Sequence, residues 1–320
     1  MELTLTSDTT SLIYWLTWKF LLCMIWVFTP IIIASYLIWK YEGFKNIKTY
    51  EEVTQQERAW YLYDYEAWMP SIKGIHPIWL LAFRIISFCL LLAAAVADVA
   101  THGTDLFFYY TQWTLTLVTF YFAFGSLLSA YGCFRQHKTC DLGPDQEYYL
   151  PLTNENNTPS QQAKNHFLLT AAFWGYVFQI VFQMTAGAVM LTDSVYWTVI
   201  APFLTIVGYE MGFLTVVVHS LNLVLLLVDT TLNRLCFPWF RISYFLLFTA
   251  FYVLFEWILH AFVATWWPYP FLDLSVKYAP LWYLIVALWH LPCYSFFLLV
   301  VKLKYYILAR CFPQSYQSLR

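Results

Sequence analysis

The chain has 320 residues, of which 61% are hydrophobic and only 11% charged. A soluble domain of this size could not hide so much apolar surface from water, so most of the chain reads as membrane-embedded. No basic patch suggests nucleic acid, and the formal net charge of −2 says nothing about partners.

Long apolar runs follow one another along the chain: Trp18–Trp39, Pro77–Ala97, Phe107–Tyr131, Phe167–Leu191, Met211–Val228, Trp239–Leu259 and Leu281–Val301. Each approaches the roughly 20 residues a helix needs to cross the hydrocarbon. The runs are continuous rather than alternating, which favours helices over a barrel. The expectation is an all-α bundle of about seven spans. It forms a single domain over 1–320, with an extra N-terminal span at 18–39 and a six-span core over 77–303. Pro30 lies within the first span and Lys19 at its start, and neighbouring helices or snorkelling accommodate both. The first apolar run is too long for a signal-peptide h-region, so it reads as an uncleaved anchor.

Two polar segments interrupt the runs. Tyr41–His76 is charged and aromatic, and reads either as an interfacial helix or as an ordered loop under the bundle. Residues 132–166 hold Gly143, Pro144, Pro151 and Pro159 with an Asn/Gln/Ser cluster, which reads as a flexible loop. Basic residues alternate between connections. They are frequent at Lys40, Lys45, Lys48, Arg58 and Lys73, absent from 97–106, present at Arg135, Lys138 and Lys164, and absent from 192–210. They end with Lys302, Lys304, Arg310 and Arg320. The positive-inside rule then puts the N-terminus outside and the C-terminus in the cytosol. The sequon at Asn156 falls on the cytosolic side and is expected to be unused. Plasma membrane and endoplasmic reticulum are both open. The odd number of cysteines and their places in spans or on the cytosolic side argue against a disulfide framework.

Ionisable groups inside a membrane are costly and mark sites or internal pairings. Asp98, Glu210, His219, Glu256, His260 and His290 fall in the outer half of the predicted bundle, whereas the inner half offers mainly Arg84 and Asp229. His219 and Asn222 share a helix face, as do Glu256 and His260. One outward-facing polar pocket would follow if those faces point inward, and interhelical hydrogen bonding is the bland alternative. A Thr hydroxyl becomes a nucleophile when a His takes its proton. Thr111 and His219 lie at depths differing by roughly 6 Å at the helical rise, so they can meet. Thr114, Thr116 and Thr119 compete for the same role, and most membrane threonines bond back to the backbone. A zinc site from His219, His260, His290 and a carboxylate is the rival chemistry, with no compact ligand motif behind it.

Three segments together resemble a known family. Tyr109-Tyr110-Thr111-Gln112-Trp113, then Val218-His219-Ser220-Leu221-Asn222 followed by Asp229, then Trp267-Pro268-Tyr269-Pro270-Phe271-Leu272-Asp273, occur in that order. The set is similar to elements of the rolling stone proteins and the related androgen-induced family of membrane threonine hydrolases. The resemblance implies a Thr nucleophile at Thr111 and an essential His at His219, acting on fatty acid esters of hydroxy fatty acids or similar lipid esters. It also implies six spans, so the span before residue 40 and the long 132–166 loop are departures. Catalysis is not general across the rolling stone branch, which leaves a non-catalytic role in adhesion, fusion or scaffolding as the alternative. On the leading expectation Gln112 or Asn222 serves the oxyanion. Asp98, Glu256, His260 and His290 then surround the pocket. A membrane lipid is the substrate, with no cofactor, no metal and no nucleic acid, and self-association is left open.

Overall fold

The computed structural model of the chain describes residues 9–43, 64–72, 74–140, 173–202, 212–263 and 266–313. These residues are helical without strands, and seven helices are long and apolar enough to cross a membrane. They are Trp18–Glu42, Pro77–His102, Tyr110–His137, Phe173–Ile200, Phe213–Leu232, Trp239–Phe262 and Ala279–Cys311, hereafter the first to seventh spans. The chain is thus a multi-pass helical membrane protein, as the apolar runs predict.

The fourth span is central. It packs against the third, fifth, sixth and seventh, and buried residues occur all round it, from Gly175 to Asp193. Gly187 allows the closest approach. A Cβ there would sit 2.4 Å from the Phe245 ring of the sixth span, so only a glycine lets the two helices meet. The first span is part of this bundle. It packs on the sixth and seventh, with Cys23 and Ala34 fully buried.

Three spans depart from the sequence reading. The fourth continues past Leu191 through a π-helical turn at Tyr196–Ile200, which brings Asp193 inside the membrane-spanning helix. The fifth is broken. Phe213–Val218 ends at His219, Ser220 takes φ −144° and ψ −38°, and a second helix runs Leu221–Leu232. The third runs on to Cys140, so the first residues of the expected 132–166 loop are helical, and the rest of that loop lies outside the described residues. Of the Tyr41–His76 segment, the described residues 64–72 include a single 3₁₀ turn, Asp64–Ala67. Ala67 and Trp68 are buried there, and Trp68 is seated over Gly132.

The two ends of the bundle differ. At the end bearing Arg84, the fully buried Arg84 guanidinium pairs with Asp229 at 2.9 Å. Arg84 also donates to Ser129 Oγ and to the Ala67 carbonyl. Asp229 in turn accepts from Tyr121 Oη and Asn233 Nδ2. Lys304 closes this network through the carbonyls of Thr230 and Asn233. Nearby, Arg241 pairs with Glu42 at 2.6 Å, tying the first span to the sixth. A charge in hydrocarbon persists when a partner and hydrogen bonds compensate it. Here Asp229, Ser129 and the Ala67 carbonyl hold Nε and Nη1 of Arg84, and Nη2 alone is buried without a partner. The described residues therefore hold more buried charge at this end than the sequence suggests. The opposite end carries Thr111, and the candidate site lies there.

Candidate functional site

Thr111 opens the third span. The 3₁₀ turn Thr104–Phe108 and extended Tyr109 deliver the chain to it from the second span. Its side chain is half-buried at the wall of an apolar cleft of about 540 Å³, mouth included. The cleft is bounded by the third span, by Leu191 to Ile200 of the fourth, and by Tyr252 and Val253 of the sixth. Its floor is the connection after the sixth span, through Tyr269, Phe271 and Leu272. Thr111 Oγ1 lies 3.5 Å from Tyr269 Oη. Tyr109 packs edge-on against the Tyr269 ring, so the first and third of the resembling segments meet in space.

Tyr269 is a hydrogen-bond donor rather than a base. Burial pushes its phenol up from the usual value near 10 to about 12, so it stays protonated at neutral pH. A 3₁₀ turn, Pro270–Leu272, and the extended residues flanking it hold the phenol in place. The N-terminal segment supports that turn. Tyr14 Oη donates to Asp273 Oδ1, while Trp267 Nε1 and the Leu274 N–H donate to Tyr14 Oη.

His219 lies one ring away. Its imidazole stacks on Tyr196 at 3.6 Å with an interplanar angle of 4°, and Tyr196 lines the Thr111 cleft. The expected Thr111–His219 hydrogen bond is not among those of the described residues, and His219 Nδ1 is buried without a partner. The break in the fifth span explains the placement. His219 caps the short helix, and its freed carbonyl accepts from Trp197 Nε1 at 2.8 Å. Asn222, in the second half of the span, donates to Asp193 Oδ1 at 3.3 Å, and Asp193 Oδ2 is unpartnered. Asp193 and Tyr196 thus face Asn222 and His219 across two antiparallel helices. Asp193 escaped the sequence reading because the apolar run ends at Leu191. The only signal was an acidic residue two positions beyond that run.

The other predicted residues are divided among separate environments rather than gathered in one polar pocket. Asp98 accepts from the Gln112 amide and lies 2.9 Å from His102 Nδ1. Gln112 is therefore committed to Asp98, and Asn222 to Asp193. His260 stacks on Trp267 at 3.7 Å, and its Nδ1 lies 2.7 Å from the Glu256 backbone carbonyl and 3.7 Å from Glu256 Oε2. Both carboxyl oxygens of Glu256 are buried without a hydrogen-bond partner. His290 of the seventh span leans on Phe245 of the sixth. Glu210 lies outside the described residues. Side-chain stacking explains the dispersal, because each imidazole buries its face against an aromatic ring in preference to its neighbours. Among the described residues no three His, Cys, Asp or Glu side chains form a group that could hold a metal ion. The zinc arrangement of His219, His260 and His290 is accordingly not assembled there. No protein-family model, curated protein or solved structure matches the chain.

Proposed function

We propose that this protein is an intramembrane hydrolase of lipid esters, with Thr111 as its nucleophile. The observation that carries the reading is the Thr111–Tyr269 hydroxyl pair at 3.5 Å in the wall of an apolar cleft. The cleft suits an acyl chain, and the hydroxyl pair supplies the only chemistry an ester carbonyl there would need at first contact. The likeness of the three segments to the androgen-induced and rolling stone families adds support, because two of them converge on this cleft.

In the proposed reaction Thr111 Oγ1 attacks the ester carbonyl and forms an acyl-enzyme, with the alcohol as leaving group. Tyr269 Oη, protonated and adjacent, donates to the developing oxyanion, the role the sequence offered to Gln112 or Asn222. His219 accepts the Thr111 proton when Tyr196 moves off its face, passes it to the leaving alcohol, and then activates the water that releases the acid. Hydrogen bonds at such sites tighten with substrate bound.

One observation favours the non-catalytic, rolling stone-like alternative: the imidazole is stacked and without a hydrogen bond to the hydroxyl. A fluorophosphonate probe decides between the two. On the hydrolase reading it labels Thr111, Thr111→Ala and His219→Ala abolish labelling and ester hydrolysis, and Thr111→Ser keeps part of both. Absence of labelling and of hydrolysis on any lipid ester, in folded protein, sinks the hydrolase reading.

A further inference from the structure

A second cleft lies against the first, where the first span crosses the sixth and seventh. Trp26 and Pro30, Leu246 and Ala250, and Trp282 and His290 form its walls, and it encloses about 480 Å³ with its mouth. Thr249, Val253, Phe271, Leu272 and Val286 are common to both clefts and form the partition.

The two hydroxyls that line this second cleft are both engaged. Thr249 Oγ1 pairs with Tyr110 Oη at 2.8 Å. Tyr283 Oη donates to the Leu272 carbonyl and accepts from Trp257 Nε1. His290 differs. Its Nδ1 lies 2.7 Å from the Val286 carbonyl, which can only accept, so Nδ1 carries the proton. Nε2 is then a bare acceptor, and it is buried without a partner. A buried acceptor left unmade costs free energy that a ligand donor would recover.

We infer that this cleft binds a lipid alcohol, an apolar body whose one polar group is a hydroxyl that donates to His290 Nε2. Depth selects this class. His290 lies about 16 Å along the seventh span from its Ala279 end, counted at the helical rise. A phospholipid headgroup or a fatty-acid carboxylate is held at the interface by its charge and does not follow a chain to that depth. An alcohol does, once an acceptor waits for its proton. His290 is one of the residues that line the cleft, and on this inference its imidazole turns to present Nε2 to the hydroxyl. The site is independent of the chemistry proposed for Thr111.

The test uses the full chain in nanodiscs and two photoreactive probes. One is a long-chain primary alcohol carrying a diazirine and an alkyne, and the other is its methyl ether, which cannot donate. The alcohol should crosslink to peptides containing Trp26 or Val286–His290. The ether should label them about tenfold less, the ratio expected for one hydrogen bond. His290→Phe should bring the alcohol down to the level of the ether, and Ala287→Phe, which fills the cleft from its wall, should remove both signals. Equal labelling by the two probes on the unsubstituted protein overturns the inference. So do crosslinks confined to the Tyr110 and Leu191 side, or labelling unmoved by Ala287→Phe. The probe ratio and the Ala287 variant decide the matter should His290→Phe fail to fold.

Discussion

Tyr14 Oη donates to Asp273 Oδ1 at 2.8 Å, joining the N-terminal segment to the connection that carries Tyr269. Lys19 Nζ adds a second tie, to the Ser275 carbonyl. The N-terminal segment and the first span, through Tyr14 and Lys19, therefore brace the floor of the Thr111 cleft.

Tyr14→Phe removes a hydroxyl that makes three hydrogen bonds, and leaves Asp273 and Trp267 short of a partner. A loss of about 1–3 kcal/mol is expected, read as a lower midpoint in thermal unfolding in detergent. Activity should fall with it, because the Tyr269 turn loses its support. An unchanged midpoint would show that the first span alone holds the connection.

Tyr269→Phe should lower kcat by about 10²-fold if the phenol serves the oxyanion. Gln112→Leu should act on stability instead, since its amide is spent on Asp98. The reverse pattern would restore Gln112 as the oxyanion donor. Measuring kcat and the unfolding midpoint on both variants separates the two roles.

Tyr269 also predicts alkaline behaviour. Its folded pKa, raised by burial from 10 to about 12, means that its contribution to stability is complete below pH 10. That contribution is lost as pH rises from about 10 through about 12, because the unfolded chain releases the proton first. Unfolding midpoints across that window should fall more steeply in the unsubstituted protein than in Tyr269→Phe.

Asp229→Ala leaves the Arg84 guanidinium buried and unpaired at the opposite end. A cost of about 3–5 kcal/mol is expected, enough to abolish recovery of folded protein. The double replacement Arg84→Met with Asp229→Leu should recover most of that loss. Size-exclusion profiles of the three proteins check it.

Seven spans place the end of the third and the end of the seventh on the same side. Cys133 and Cys311, which are free and not fully buried, should react with a charged thiol reagent from the same face, the cytosolic one by the basic-residue pattern. Cys89, exposed in mid-span, should resist the reagent because the lipid excludes it. Labelling of Cys133 and Cys311 from opposite faces would require a different number of crossings.

The number and order of spans could be read from the chain because they depend on local physics. A run of apolar residues about 20 long has few alternatives to a membrane helix, whatever its neighbours do. Thr111 could likewise be placed near one end by counting residues. Which side chains meet depends on helix rotation, on breaks and on the connections, and these are settled by packing between residues far apart in sequence. Gly187 against Phe245 sets how closely the fourth and sixth spans approach. The break at Ser220 turns His219 onto Tyr196, and the π turn at Tyr196–Ile200 extends the span that holds Asp193. Tyr269, a loop residue with no intramembrane signal, reaches Thr111 only because Tyr14 and the first span fix the connection from outside. None of these contacts has a counterpart in apolar periodicity. The sequence by itself could name the hydroxyl and the imidazole, and only the tertiary structure showed that a phenol faces the one and an aromatic ring covers the other.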